Sequence, residues 1–329
     1  MKILFAGTPE PAAVALRHLI ADERHEVAAV ITQPDARRGR GRALHPSAVA
    51  EVAAEHGIDT YKWPSLKSRT ESGDKAWAVL QQLADDGVEA VAVVAYGNLI
   101  PEDLLNTFRH GWINLHFSVL PRWRGAAPVQ AAIAAGDRTT GATTFRIEKG
   151  LDTGPMIGTI THEIGLADTA DDLLTALTYA GRELLADSLA ELADGTATLT
   201  PQDDGEATHA AKITSGDAQI DWSLPADQIQ RIARAHTPAP GAWSMMAGQR
   251  YKIGLMMPLD PDFCLDATTP APGQVLTEAG KVIVGTGSAP LEIASIQPPG
   301  KKMMNAADWA RGQQQLLAAE PTFDAKETH

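Results

Sequence analysis

The chain is organised around residues 112–126, which read Trp112-Ile113-Asn114-Leu115-His116-Phe117-Ser118-Val119-Leu120-Pro121-Arg122-Trp123-Arg124-Gly125-Ala126. The apolar start of this stretch predicts a buried strand. Asn114 and His116 are two residues apart, so a strand places their side chains on the same face. One amide and one imidazole are therefore expected to point to one place.

A second stretch, residues 150–155, is a glycine-bracketed turn that carries a single carboxylate, Asp152. Such a turn can bring an acid back beside the end of the strand. A carboxamide can donate to the oxygen of a tetrahedral intermediate, and an imidazole can carry the proton near neutral pH. A carboxylate can orient the imidazole and favour its charged form. Asn114, His116 and Asp152 together therefore indicate acyl transfer to an amine without a covalent nucleophile.

Each of these three residues also has a purely structural interpretation. Asn114 could cap a strand, His116 could be a satisfied core histidine, and Asp152 could simply make a turn. The combination, followed by the Ser-Val-Leu-Pro loop, favours a catalytic site. No pair of His or Cys residues stands at metal-ligand spacing near the motif, so we expect no metal.

The pattern Asn114-x-His116-x-Ser118-x-Leu120-Pro121, followed by Gly150-x-Asp152-x-Gly154, resembles the folate-dependent formyltransferase family. The resemblance extends over nearly the whole chain, and residues 122–128 look closest to the members that formylate initiator tRNA. It implies that Asn114 polarises the formyl oxygen, His116 handles the proton and Asp152 holds His116. The folate-binding residues that it implies are Ser118, Val119, Leu120, Pro121, Tyr96 and Gly97. Phe117 and Val119 depart from the family pattern, which more often has a small residue and a Leu at these positions.

The most basic segment is residues 33–42, in which four arginines fall among six residues. Mutual repulsion and the two glycines disfavour a helix there and suit a flexible loop that meets a phosphate backbone. A solvated mobile loop without a ligand is the alternative. The resemblance implies that this loop enters the acceptor stem of an initiator tRNA. The tRNA-binding residues that it implies are Arg37, Arg38, Arg40, Gly41 and Arg42.

The composition predicts a soluble globular protein large enough for two domains, with 329 residues of which 44% are hydrophobic. The single cysteine, Cys264, excludes an intramolecular disulfide. The N-terminal apolar run is too short for a signal peptide and no stretch could span a bilayer, so we expect a cytoplasmic protein without a membrane partner. The net charge of -13 restricts any nucleic-acid contact to local basic patches.

Hydrophobic periodicity predicts an α/β fold for the first part of the chain. Gly7 is not followed by further glycines in the dinucleotide-binding spacing, which disfavours a nicotinamide or flavin cofactor. Thr169 is the expected N-cap of a long helix that ends at Asp194. The other predicted helices are residues 12–21, 46–56, 75–86 and 126–135. The other predicted strands are residues 2–6, 25–32, 60–63, 89–95, 141–147 and 155–163.

The resemblance implies that this first part is a Rossmann-like catalytic domain, residues 1–195. Residues 196–211 are polar and are predicted to be a linker. In residues 212–329, a helix at 226–235 and short strands at 251–256, 273–276, 282–284 and 291–296 predict a small barrel. The resemblance implies an OB-like, tRNA-binding barrel. The order of residues 316–329 is left open by the sequence, although their polar, acidic end suggests a frayed tail.

The second domain also contains basic residues in two acid-free segments, which could form a face that orients a tRNA. Basic residues along strands could equally point in different directions. These basic residues are Arg231, Arg234, Arg250, Lys252, Lys301 and Lys302.

The resemblance thus implies a two-domain transferase that moves the formyl group of 10-formyltetrahydrofolate to the α-amino group of methionyl initiator tRNA, and we expect a monomer. Two alternatives stay open. One is a folate-dependent formyltransferase that acts on a sugar or nucleotide amine, which would not need the arginine loop. The other is a non-catalytic folate-binding or RNA-binding homologue in which Phe117 closes the pocket.

Overall fold

The computed structural model describes residues 1–38, 43–68, 70–265 and 269–326. The chain forms two compact units. The first unit comprises Met1–Pro128, Thr139–Glu163 and Leu174–Ala210. The second unit comprises Val129–Arg138, Ile164–Leu173 and Ala211–His329. The domain limits at residues 195 and 211 stay predictions.

The first unit is an α/β structure. Its helices are α1 (Glu10–Ala21), α2 (Ala48–Glu55) and α3 (Glu71–Asp85), and short 3-10 turns lie at Glu102–Leu104 and Asp204–Glu206. Two further helices, α4 (Pro128–Ala135) and α5 (Ala170–Asp194), have residues in both units. The strands are β1 (Lys2–Gly7), β2 (Glu26–Thr32), β3 (Ala36–Arg38), β4 (Ala43–His45), β5 (Thr60–Lys62), β6 (Ala90–Val94), β7 (Gly111–His116), β8 (Arg124–Gly125), β9 (Thr139–Arg146), β10 (Met156–Glu163) and β11 (His209–Ala210).

A seven-stranded sheet in the order β10-β9-β7-β6-β1-β2-β5 organises this unit. The pairs from β7 to β5 are parallel, whereas β9 runs antiparallel to β7 and β10 antiparallel to β9. All five residues of β6 are buried, as is typical of a parallel strand that is covered on both faces. The sheet confirms the predicted α/β class.

Two local predictions for the first unit need correction. Helix α3 begins earlier than predicted because the Thr70 side chain accepts a hydrogen bond from Gly73 N at 3.0 Å and caps it. The basic segment is not simply a loop, because β3 and β4 pair antiparallel with Arg37 opposite Leu44. Residues 39–42, between these strands, lie outside the described residues.

The second unit is built mainly from antiparallel strands in two four-stranded sheets, ordered β12-β13-β18-β19 and β14-β17-β16-β15. This confirms the prediction of a second domain of short strands. Its helices are α6 (Ala226–Ala235), α7 (Ala306–Arg311) and α8 (Gln314–Leu317). The strands are β12 (Trp243–Met246), β13 (Gln249–Ile253), β14 (Met256–Pro258), β15 (Val275–Glu278), β16 (Lys281–Val284), β17 (Leu291–Ile293), β18 (Ser295–Gln297) and β19 (Met304–Asn305).

The C-terminal segment contributes to the core of the second unit. Phe323 is buried and stacks on Trp222 with 5.1 Å between the ring centroids. Its backbone N–H donates to Gly273 O at 2.9 Å, and Leu317 is buried in the same cluster. The segment through Phe323 therefore belongs to the fold, because its few apolar residues complete the core.

The N-cap prediction for α5 is confirmed. The Thr169 hydroxyl accepts from Asp172 N at 3.2 Å, and the Asp172 carboxylate accepts from Thr169 N at 3.0 Å.

In the part of the chain that the structure describes, no helix combines the length and apolar character needed to cross a membrane.

Candidate active site

The carboxyl-terminal end of β7 carries the two polar residues that the sequence singled out. Asn114 pairs with Val93 of β6 on one side and with Phe145 of β9 on the other, and His116 pairs with Thr143. The pleat places both side chains on one face of the sheet. They meet the same cleft, at the edge of the sheet where ligands of open parallel sheets bind.

This cleft lies within the first unit and has a volume of about 650 Å³. The ends of β6 and β7 form one side, and the loop at residues 147–152 forms another. Phe117 is part of the wall, and the cleft keeps this volume beside it. The predicted site residues that line the cleft are Tyr96, Gly97, Asn114, His116 and Asp152.

His116 is only 6% exposed, and both of its ring nitrogens have defined surroundings. Its Nε2 lies 2.9 Å from Trp123 O, and because a carbonyl only accepts, Nε2 carries the proton in the neutral ring. Its Nδ1 lies 3.8 Å from Asp152 Oδ2. Burial lowers the pKa of His116. The Asp152 carboxylate and the hydrogen bond to the Trp123 carbonyl act in the opposite direction and raise it in part. The neutral ring therefore offers the lone pair of Nδ1 for a proton, beside a carboxylate that would stabilise the resulting cation.

Asp152 is held by its backbone and by its side chain. Its φ of 53° lies in the left-handed region, where a non-glycine residue needs support from its surroundings. Its Oδ2 accepts a hydrogen bond from Gly125 N at 2.8 Å. A side chain at Gly154 would collide with the Arg146 carbonyl, so the turn requires a glycine there. The carboxylate is thus fixed at the cleft wall.

The Asn114 carboxamide is available to a ligand. Its side chain is half-buried and lines the cleft. None of the hydrogen bonds formed among the described residues involves this carboxamide. An amide with this placement can donate to an oxygen atom bound next to His116.

The loop at residues 118–121 is packed beside the cleft and is not among its lining residues. The Ser118 hydroxyl donates to Arg122 O at 2.6 Å. Thr143 Oγ1 donates to Ser118 O at 2.8 Å and accepts from Leu120 N at 3.2 Å. These bonds give Ser118 and Leu120 a structural role, and folate binding by Ser118, Val119, Leu120 and Pro121 stays a prediction.

The residues predicted to bind tRNA are only partly described. Arg37 is exposed in β3, and Arg38 ends that strand. Arg40, Gly41 and Arg42 lie outside the described residues. Their contact with tRNA therefore stays a prediction.

The basic residues of the second unit have different surroundings. Arg234 is buried and donates to Asp168 O at 2.8 Å, and Lys252 donates to Pro240 O at 2.7 Å. The prediction of a basic face is therefore wrong for the buried Arg234, whereas it stays a prediction for the half-buried Lys252. Arg250 is exposed and stacks over the Trp243 ring at 3.8 Å. Lys301 and Lys302 are also exposed.

Two residues without a predicted role, Arg124 and Gln202, hold the Asp152 loop. The Arg124 guanidinium donates to Gln202 Oε1 from Nε at 3.0 Å and from Nη2 at 2.9 Å. The Gln202 amide donates in turn to the carbonyls of Asp152 and Gly154, each at 2.8 Å. The two residues are far apart in sequence, so no local pattern could have indicated their contact.

No group of three or more His, Cys, Asp or Glu side chains is arranged to hold a metal ion in the described ranges. The expectation that the site needs no metal stays a prediction.

Comparisons with known proteins cover both parts of the chain. The family model described as formyl transferase matches residues 1–189. The model described as formyl transferase, C-terminal domain, matches residues 212–314. A methionyl-tRNA formyltransferase of Corynebacterium jeikeium is 69% identical over 328 residues, which is 100% of this chain and 99% of that protein.

A methionyl-tRNA formyltransferase of Streptomyces griseus is 50% identical over 312 residues, covering 95% of this chain and 96% of that protein. Among solved structures, an N-formyltransferase from Helicobacter canadensis in complex with folinic acid and dTDP-3-aminofucose aligns with a TM-score of 0.64. The identity is 15%, and the alignment covers 89% of this chain and 98% of that one. This structural similarity bears on the fold alone.

Proposed function

The chain belongs to the formyl transferase family, and we propose that it transfers the formyl group of 10-formyltetrahydrofolate to the α-amino group of methionine on initiator tRNA. Relatives named methionyl-tRNA formyltransferase match nearly the whole chain at 50% and 69% identity, which supports methionyl-tRNA as the acceptor. We infer the chemistry from one observation, which is that Asn114, His116 and Asp152 line the same cleft.

In the first step, the neutral amine of methionine attacks the formyl carbon. A carbon–nitrogen bond forms, and the formyl oxygen takes up the negative charge of a tetrahedral intermediate. The Asn114 carboxamide donates a hydrogen bond to this oxygen and stabilises it. The unpartnered state of this amide among the described residues supports that role, since no competing bond must break.

His116 moves the proton between the two nitrogens. Its Nδ1 accepts the proton from the attacking nitrogen, since Nε2 is already bonded to the Trp123 carbonyl. The imidazolium that forms lies beside the Asp152 carboxylate, which stabilises its charge. The bond from carbon to N10 of the folate then breaks, and His116 returns the proton to N10. The products are formylmethionyl-tRNA and tetrahydrofolate.

The remaining site residues have binding roles in this proposal. Tyr96, Gly97 and the loop at residues 118–121 contact the folate. In this proposal Arg37, Arg38, Arg40, Gly41 and Arg42 contact the tRNA phosphates, consistent with the exposed position of Arg37 in β3. The enzyme is proposed to act as a monomer without a metal.

The direct test is formyl transfer from 10-formyltetrahydrofolate to methionyl initiator tRNA. Elongator methionyl-tRNA and uncharged initiator tRNA serve as parallel substrates. The proposal expects formylation of the charged initiator, little of the elongator and none of the uncharged tRNA. Preferential formylation of an amino sugar nucleotide over methionyl-tRNA by this protein would contradict the proposed substrate. Binding of folate and tRNA without any transfer would contradict the proposed activity.

A further inference from the structure

A polar network in the first unit connects the catalytic loop to a segment about fifty residues downstream. Its central residue is Gln202, whose carboxamide makes four hydrogen bonds. The oxygen accepts both bonds from Arg124, and the NH₂ group donates both bonds to the Asp152 loop. Because a guanidinium only donates and a carbonyl only accepts, just one orientation of this amide satisfies all four partners.

Residues 123–125, which include the short strand β8, contact both members of the proton-handling pair, His116 and Asp152. Gly125 N donates to the Asp152 carboxylate at 2.8 Å, and its neighbour Arg124 orients Gln202. The preceding residue, Trp123, accepts the hydrogen bond from His116 Nε2 at 2.9 Å. Residues 123–125 therefore hold the His116 imidazole and the Asp152 carboxylate directly, and they hold the Asp152 backbone through Gln202.

The Asp152 backbone conformation makes this support necessary. A non-glycine residue with a φ of 53° is strained unless its surroundings determine it. Gln202 donates to the carbonyl of Asp152 itself and to that of Gly154, so it links the two carbonyls of the turn. Arg124 is 4% exposed, which makes its end of the network rigid, whereas its ion-pair partner Asp204 is largely exposed.

We infer that Gln202 is a positioning residue, which holds the Asp152 carboxylate beside His116 Nδ1 by fixing the backbone of the Asp152 loop. The inference deepens the proposed function, and its kinetic readout rests on that function. A displacement of the carboxylate by about 1 Å can cost on the order of 100-fold in rate. Gln202 itself lies outside the residues that line the cleft.

Two substitutions separate the parts of the network. Gln202→Glu keeps oxygen acceptors for Arg124, but it replaces the NH₂ donor with an oxygen that faces the carbonyls of Asp152 and Gly154. Gln202→Met removes all four bonds at similar side-chain length. Asp204→Asn is the matched control, because it alters the exposed partner of Arg124 and leaves Gln202 in place.

The first readout is the titration of His116 by NMR in the full-length protein without substrate. The Asp152 carboxylate raises the pKa of His116 against the effect of burial. Both Gln202 variants should therefore lower the His116 midpoint toward the value in Asp152→Asn, whereas Asp204→Asn should leave it unchanged. An unaltered midpoint in folded Gln202→Glu would overturn the inference.

The second readout is a double-mutant cycle on kcat. Each Gln202 variant should lower kcat by about tenfold to 100-fold in the parental protein and by less than about threefold in the Asp152→Asn background. Equal losses in both backgrounds would indicate a general structural role and refute positioning. If the parental enzyme fails to formylate methionyl-tRNA while the His116 midpoint still responds to Gln202, the proposed substrate falls and the positioning role stands.

Discussion

Replacement of Asn114 by alanine tests the proposed stabilisation of the formyl oxygen. The side chain is half-buried at the end of β7, and its amide has no hydrogen-bond partner among the described residues. Its removal therefore leaves no buried group unpaired, and the free energy of unfolding should change by less than about 1 kcal/mol. Any large effect must then arise from the reaction.

The size of that effect follows from the role of the amide. A donor that bonds to the developing oxyanion contributes about 100- to 1,000-fold in kcat, which corresponds to about 2.7–4 kcal/mol of transition-state stabilisation. The ground-state formyl oxygen carries less charge and gains less from the same donor. We therefore expect kcat of Asn114→Ala to fall by at least about 100-fold, with a smaller change in KM.

The assay is single-turnover formylation of methionyl initiator tRNA at saturating 10-formyltetrahydrofolate. Asn98→Ala is the control, since Asn98 also lines the cleft but its Nδ2 already donates to Trp63 O at 3.2 Å. The rate of this control variant should fall by less than about tenfold, because the Asn98 amide is already hydrogen-bonded within the protein. An Asn114→Ala rate within threefold of the parental rate, or a loss no larger than that of Asn98→Ala, would refute the assigned role.

Three further predictions concern pH, stability and tRNA binding. Burial lowers the pKa of His116 and of His25 below the ordinary 6.5. As the pH falls, these two histidines are therefore protonated in the unfolded chain before they are protonated in the folded protein. The free energy of unfolding should consequently fall as the pH drops through about 6.5. Denaturant titrations from about pH 7.5 to about pH 5.5 would show this, and a flat profile would contradict it. Ser118→Ala should lower the free energy of unfolding by about 1–2 kcal/mol, because the Ser118 hydroxyl bonds to Arg122 O inside its own loop; unchanged denaturant midpoints would argue against that role. Arg37→Ala should raise the KM for tRNA by about three- to tenfold at low salt and less at high salt, and a salt-independent KM would exclude a phosphate contact.

The sequence predicted the elements whose pattern is local. The unbroken apolar run of β6 indicates a strand that is buried on both faces, and the structure buries every residue of it. The spacing of Asn114 and His116 likewise places them on one face without knowledge of the rest of the fold. Both inferences depend only on the two-residue period of a strand.

Other features depend on contacts that no local pattern encodes. The predicted single strand at residues 291–296 is two strands, β17 and β18, because the chain changes sheets at Ala294, whose N–H donates to Leu255 O. No glycine or proline marks that change. The burial of Phe323 depends on a distant partner, Trp222, so the polar residues around it suggested a free end. Gln202 was unrecognised for the same reason.

The pairing of β8 with β11 bears on how this enzyme can be dissected. His209 and Ala210 pair with Arg124 and Gly125, so the strand that carries the Asp152 contact is itself completed by residues that follow α5. A fragment that stops at residue 195 would contain Asn114, His116 and Asp152, the proposed catalytic residues, yet lack both Gln202 and the β11 partner strand. Any active fragment should therefore extend at least through Ala210, and a transplant of the motif into another scaffold would need this returning segment as well.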